Sequence, residues 1–180
     1  MVYVLLGTGF EEIEALMPVD LLRRAGISVC TVGLNGDVVF GSHQIGVQAD
    51  LTMDEADWKR CDMVVLPGGL GGVASIRNCP AALEMVKNAY DGGKWIAAIC
   101  AGPTVLADLG IMEGRNATCY PGCEGAMGSA HMMPEAAVVR DGRVITGTSA
   151  GCAVPFGLEL IDALAGEDAA RKIREQIVIR

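Results

Sequence analysis

Apolar residues recur along the chain in two rhythms. Short runs dominated by apolar and β-branched residues occupy Val2–Leu6, Ile27–Leu34, Asp62–Leu66 and Trp95–Ile99, and most end in a glycine- or proline-containing turn. Such runs predict strands buried on both faces, as in a parallel sheet. Between the first two, Phe10, Ile13, Leu16, Met17 and Leu21 fall at helical spacing. Glu11, Glu12 and Glu14 crowd the first turn of this segment, Arg23 and Arg24 its last, and Gly26 closes it, which predicts a helix over 10–24. Pro18 inside it predicts a kink or break, because proline lacks one backbone donor and crowds the preceding turn. Further helices are predicted from Pro80 to Tyr90, from Ala101 to Gly110, over 156–164 and over 168–177. Thr52 and Glu55 form a capping-box pattern that predicts a short helix. Two β-like runs flank Gly41-Ser42-His43-Gln44 in 37–51 and predict a small hairpin beside the main sheet. Asp141-Gly142 within 136–145 predicts a second hairpin, and 116–120 a further strand. Strands and helices alternate without linker or repeat, so one domain is expected over 1–180: an α/β fold with a doubly wound, mostly parallel sheet and helices on both faces.

Composition sharpens this picture. Of 180 residues, 51% are hydrophobic, enough to fill a sizeable core, and the formal net charge is −8. Without a basic stripe to offset that charge, nucleic acid is not an expected partner. The chain has no apolar run near membrane-spanning length and no signal-like start, so neither membrane nor secretion is expected. Seven cysteines, an odd number, argue against a disulfide framework and for reduced thiols in the cytoplasm. Cys119 and Cys123 have a ligand-like spacing, but His43 and His131 are not placed as a second ligand pair, and no metal site is expected.

Ligands of open parallel sheets bind beyond the carboxyl ends of the strands. Three such ends carry chemistry: Gly7 to Glu14, Pro67-Gly68-Gly69, and Ile99-Cys100-Ala101-Gly102-Pro103. Cys100 sits where a strand breaks into a helix, as in a nucleophile elbow, and a helix beginning at Ala101 would favour its thiolate. Position alone is equally compatible with a buried core cysteine. The N–H of Ala101 and the Gly68-Gly69 turn are candidate oxyanion donors. Glu14 falls on the apolar side of its helix, which would push its pKa up and suit it to proton transfer. Glu11 and Glu12 read as solvated first-turn acids.

GFEEIEALMPVDLLRRAG (9–26), VVLPGG (64–69) and AAICAGP (97–103) together resemble the ThiJ/PfpI superfamily, specifically its Parkinson-disease-protein (DJ-one) branch, over nearly the whole chain. The resemblance implies a flavodoxin-like, class I glutamine amidotransferase-like domain, usually homodimeric, with Cys100 reactive, Glu14 its carboxyl partner, and the N–H groups of Gly69 and Ala101 forming an oxyanion pocket. It also implies a cofactor-independent glyoxalase or deglycase-like activity on a small aldehyde or glycated substrate. Many members carry a histidine where this chain has Tyr120, so a Cys-His-Asp triad is not expected and Tyr120 becomes a candidate substrate contact. The family's Ser-Arg-Gly-Pro-Gly-Thr run is altered to Ser149-Ala150-Gly151-Cys152-Ala153. The alternatives are a redox-responsive stress protein or chaperone signalled by oxidation of Cys100, and, with less support, a cysteine peptidase. One of Cys119, Cys123 and Cys152 could serve as a resolving thiol.

Overall fold

The structure, a computed structural model, describes residues 1–179. Strands β1 (Val2–Leu6), β2 (Val29–Gly33), β3 (Val38–Phe40), β4 (Gly46–Gln48), β5 (Leu51–Thr52), β6 (Met63–Leu66), β7 (Trp95–Ile99), β8 (Asn116–Ala117), β9 (His131–Met132), β10 (Val138–Asp141) and β11 (Val144–Gly147) follow in chain order. Helices α1 (Glu12–Arg24), α2 (Leu70–Arg77), α3 (Pro80–Asp91), α4 (Pro103–Asp108), α5 (Ala153–Ala165) and α6 (Glu167–Gln176) are interspersed.

Seven strands form the main sheet in the order β10-β11-β7-β6-β1-β2-β5. All pairs are parallel except β10 with β11, the hairpin that turns at Asp141-Gly142. The central strands β1 and β6 are buried at every position, the reason their sequences carry no alternation. Two apolar layers result. One, holding Leu5, Val64, Ile96 and Leu106, lies toward α2, α3 and α4. The other, holding Val4, Val65, Ile99, Leu22 and Phe156, lies toward α1 and α5. Gly157 permits the close crossing of those two helices, because a Cβ there would stand 2.7 Å from a Leu21 methyl. No helix is long and apolar enough to cross a membrane among the described residues.

Several elements depart from the sequence expectation. α1 runs unbroken through Pro18, so no break occurs there. The Thr52–Glu55 contacts form, with the Glu55 carboxylate accepting from the Thr52 N–H and hydroxyl at 2.8 Å each, yet only turns and a short 3-10 segment, Trp58–Arg60, follow. Of 116–120 only Asn116–Ala117 is strand, paired with β9 outside the main sheet. α2 was not predicted, since its sequence, Leu-Gly-Gly-Val-Ala-Ser-Ile-Arg, is interrupted by two glycines that disfavour helix. Those glycines are required by packing: a Cβ at Gly72 would lie 2.7 Å from the Phe10 backbone and one at Gly71 3.0 Å from Gly9. The helix after β7 begins at Pro103 rather than Ala101 and has only six residues.

Candidate active site

The carboxyl ends of β1, β6 and β7 converge on one pocket of about 450 Å3. Cys100 is its elbow: the residue follows β7 directly and has φ 65°, a left-handed conformation that costs a non-glycine residue about 1–2 kcal/mol. Backbone bonds to β11 and to the segment after β8 hold it there. The Cys100 N–H donates to the Gly147 carbonyl at 2.9 Å, and the Tyr120 N–H donates to the Cys100 carbonyl at 2.8 Å.

α1 delivers Glu14 to the same point. Its side chain is 1% exposed, Oε2 accepts the Gly68 N–H at 2.8 Å, and the carboxyl lies beside the Cys100 thiol, both packing against Gly68. The backbone N–H groups of Ala101 and Gly69 lie near enough to the Cys100 sulfur to favour its charged form. Gly68 therefore has a different part from the one expected of it: its donor is committed to Glu14 and does not face the pocket. A Cβ at Gly68 would stand 2.7 Å from the Cys100 Cβ and 3.1 Å from Sγ. Gly68→Ala should accordingly push thiol and carboxyl apart and lower any activity that needs the two together by about 100-fold, the usual scale for an ångström of misplacement. Activity of the variant beside its circular dichroism spectrum checks this; full activity would deny the contact any importance.

The charges resist one another. Burial pushes Glu14 up to about 7, with the charge of Glu11 adding to the rise and the contacts from Cys100 and Gly68 opposing it. Burial also pushes the Cys100 thiol up to about 12, reinforced by the Glu14 charge and hydrogen bond. Desolvation and the adjacent carboxylate, which raise the thiol, thus oppose the two N–H donors and the short helix start, which favour its thiolate. At neutral pH the pair holds at most one negative charge, resident on the carboxylate or, after proton transfer from thiol to carboxyl, on sulfur.

This has a consequence for stability. Glu14 in the folded chain keeps its proton to about 7, against an ordinary value of 4.5, so between those pH values the unfolded chain binds fewer protons and stability falls as pH rises. Glu14→Gln abolishes this loss. Its melting temperature relative to wild type should rise between about pH 5 and pH 8, by an amount equivalent to on the order of 2 kcal/mol. A constant difference across that range would show that Glu14 titrates normally.

Glu11, Leu70, Tyr120, Cys123 and Ser149–Gly151 complete the pocket wall. Tyr120, singled out in the sequence, lines it with a half-exposed ring. Neither histidine does. His131 is exposed in β9, and His43 belongs to a neighbouring cluster. There its ring Nδ1 lies 2.8 Å from Glu12 Oε2, and its N–H donates to Glu12 Oε1 at 2.7 Å. Although burial opposes it, these contacts with those from Ser42 and the Glu12 backbone hold the Glu12 carboxyl down at about 2. Glu12 and Glu11 are therefore not the solvated acids expected, because the β3–β4 turn folds over the start of α1: Glu12 is 5% exposed. Glu11, Glu12 and His43 are the one set of three metal-capable side chains found among the described residues, with ligand atoms within 4.8 Å of one another. They already satisfy each other, as a hydrogen-bonded clamp would.

Residues 1–163 match the DJ-1/PfpI family. The chain is 36% identical over 181 residues to the Parkinson disease protein 7 homolog of Danio rerio, covering 98% of this chain and 96% of that one. It is 30% identical over 171 residues to a Caenorhabditis elegans protein named a glutathione-independent glyoxalase, covering 94% and 90%. The crystal structure of Drosophila melanogaster DJ-1beta superposes with a TM-score of 0.94 at 34% identity, covering 99% of this chain and 97% of that one.

Proposed function

The chain belongs to the DJ-1/PfpI family, and from that premise we propose that it is a cofactor-independent enzyme converting small 2-oxoaldehydes, such as methylglyoxal, to 2-hydroxyacids. The observation that carries this reading is the buried Glu14 carboxyl set beside the Cys100 thiol in one pocket. Glyoxalase activity in the family supports it: one relative bears that name.

The chemistry follows from the pair. Glu14, as carboxylate, takes the thiol proton while sulfur adds to the aldehyde carbon, and the new oxyanion is protonated to give a hemithioacetal. Glu14 then removes the hydrogen from that carbon and the enediol is reprotonated on the adjacent one, leaving a thioester of the hydroxyacid. Water cleaves the thioester, releasing the hydroxyacid and restoring the thiol. The net change is addition of one water, with no external oxidant or reductant. The N–H groups of Gly69 and Ala101 stabilise negative charge on sulfur and on the adduct oxygen beside it. Tyr120 contacts the substrate at the mouth. No imidazole is needed, and with no histidine on the pocket wall a Cys-His peptidase has no support here.

A second reading, a redox-responsive protein signalled by oxidation of Cys100, is favoured by the same N–H groups, which could satisfy oxygens added to sulfur. Hydroxyacid formation by the purified protein from a panel of 2-oxoaldehydes and glycated amines decides between the two: turnover supports the enzyme, and a peroxide-reactive Cys100 without turnover supports the sensor. Seven free thiols fit a reducing compartment such as the cytoplasm. Exposed Ile13 on α1, beside Leu16 and Met17, supports a homodimer formed through that helix. Sedimentation should then give the mass of two chains, and Ile13→Lys that of one; a wild-type monomer would refute it.

A further inference from the structure

The pocket wall carries charge of one sign. Glu11 and Glu14 face it, and no lysine, arginine or histidine lines it. Glu14 is spent on the thiol, but Glu11 is not. Its side chain is only 18% exposed and is fixed at both ends: Ser42 donates its hydroxyl to Oε2 at 3.0 Å, and the Glu11 N–H donates to the Gly68 carbonyl at 3.0 Å. The one nearby imidazole, that of His43, is shared unequally, its Nδ1 standing 2.8 Å from Glu12 but 3.8 Å from Glu11, so Glu11 is only partly compensated. A carboxylate held in this way, only partly compensated and among apolar walls that screen poorly, projects negative charge into the pocket.

We propose that Glu11 is a specificity-determining residue that turns away substrates bearing a carboxylate, so that the site takes neutral 2-oxoaldehydes with an uncharged substituent. As a statement about substrates this rests on the carbonyl-converting function above; as a statement about charge at Cys100 it stands without it. The contribution of Glu11 to the raised pKa of Glu14 agrees with a carboxylate charge felt inside the pocket.

Iodoacetate and iodoacetamide, reagents of nearly equal size differing by one negative charge, test the charge at Cys100 directly. Near neutral pH, the rate of Cys100 alkylation by iodoacetate relative to iodoacetamide should fall at least about 10-fold below the ratio for a small uncharged thiol. Glu11→Gln, which retains an acceptor for Ser42, should recover about 5-fold of that or more, while Glu11→Asp, which keeps the charge, should stay close to wild type. A wild-type ratio equal to that of the free thiol, or equal ratios in the Gln and Asp variants, would overturn the proposal. The same variants are then assayed for kcat/KM on 2-oxopentanal and on 4,5-dioxopentanoate, its carboxylate-bearing counterpart. The preference for the neutral substrate should shrink by a similar factor in Glu11→Gln alone, and an unchanged preference would overturn the substrate claim. If wild type turned over neither compound, the carbonyl-converting function would fail while the alkylation ratios still judged the charge filter.

Discussion

Glu14→Gln should lower the turnover of methylglyoxal by at least about 100-fold, the lower end of what a positioned acid or base contributes. The substitution keeps the shape of the side chain and an acceptor for the Gly68 N–H, so the pocket stays assembled. What it removes is the proton acceptor needed twice, once from the thiol and once from the carbon next to sulfur. The value of about 7 for this carboxyl places it where a base is half ready at neutral pH, and strong enough to act. The wild-type kcat/KM should accordingly rise as pH passes through about 7, and this limb should vanish in the variant. Hydroxyacid release measured across pH checks both statements. An active Glu14→Gln protein would eliminate Glu14 as the base.

Cys100→Ser should be the more damaging change, reducing turnover by at least about 1,000-fold, because losing a nucleophile removes the covalent path itself rather than one assistance along it. A hydroxyl is far less acidic than a thiol, and at a site where burial, with Glu14 beside it, already pushes the thiol up to about 12, Glu14 cannot ionise it. The fold should persist, since Cys100 is held through its backbone bonds to Gly147 and Tyr120, which serine retains. Retention of more than a tenth of wild-type activity would mean that another residue attacks the aldehyde.

The sheet was legible because its central strands are buried on both faces and therefore read as apolar runs, and the β10–β11 hairpin because Asp-Gly supplies its turn. Cys100 and Glu14 stood out for a local reason each: a strand end running into a proline-capped helix, and an acid on an apolar face. α2 was illegible because its glycines answer to the backbone of Gly9 and Phe10, a contact between segments more than sixty residues apart. Glu11 and Glu12 were misjudged for a similar reason, as nothing in their own helix announces that Ser42 and His43 will close over them. The upward push on the thiol is not legible in the sequence, because helix position is a local feature, whereas burial and the approach of Glu14 depend on the assembled fold. The pairing of Gly68 with Glu14 is likewise a tertiary fact.

If carbonyl conversion passes through sulfur at Cys100 with Glu14 moving the proton, a covalent adduct must lie on the path to product. Mixing the protein with stoichiometric methylglyoxal, quenching with acid at successive times and measuring intact mass tests it most directly. A species heavier by one methylglyoxal, mapped to Cys100, should form and decay as lactate appears, and should decay to lactate far more slowly in Glu14→Gln. Lactate released at the wild-type rate from protein whose Cys100 stays unmodified, or an adduct confined to another cysteine, would contradict it.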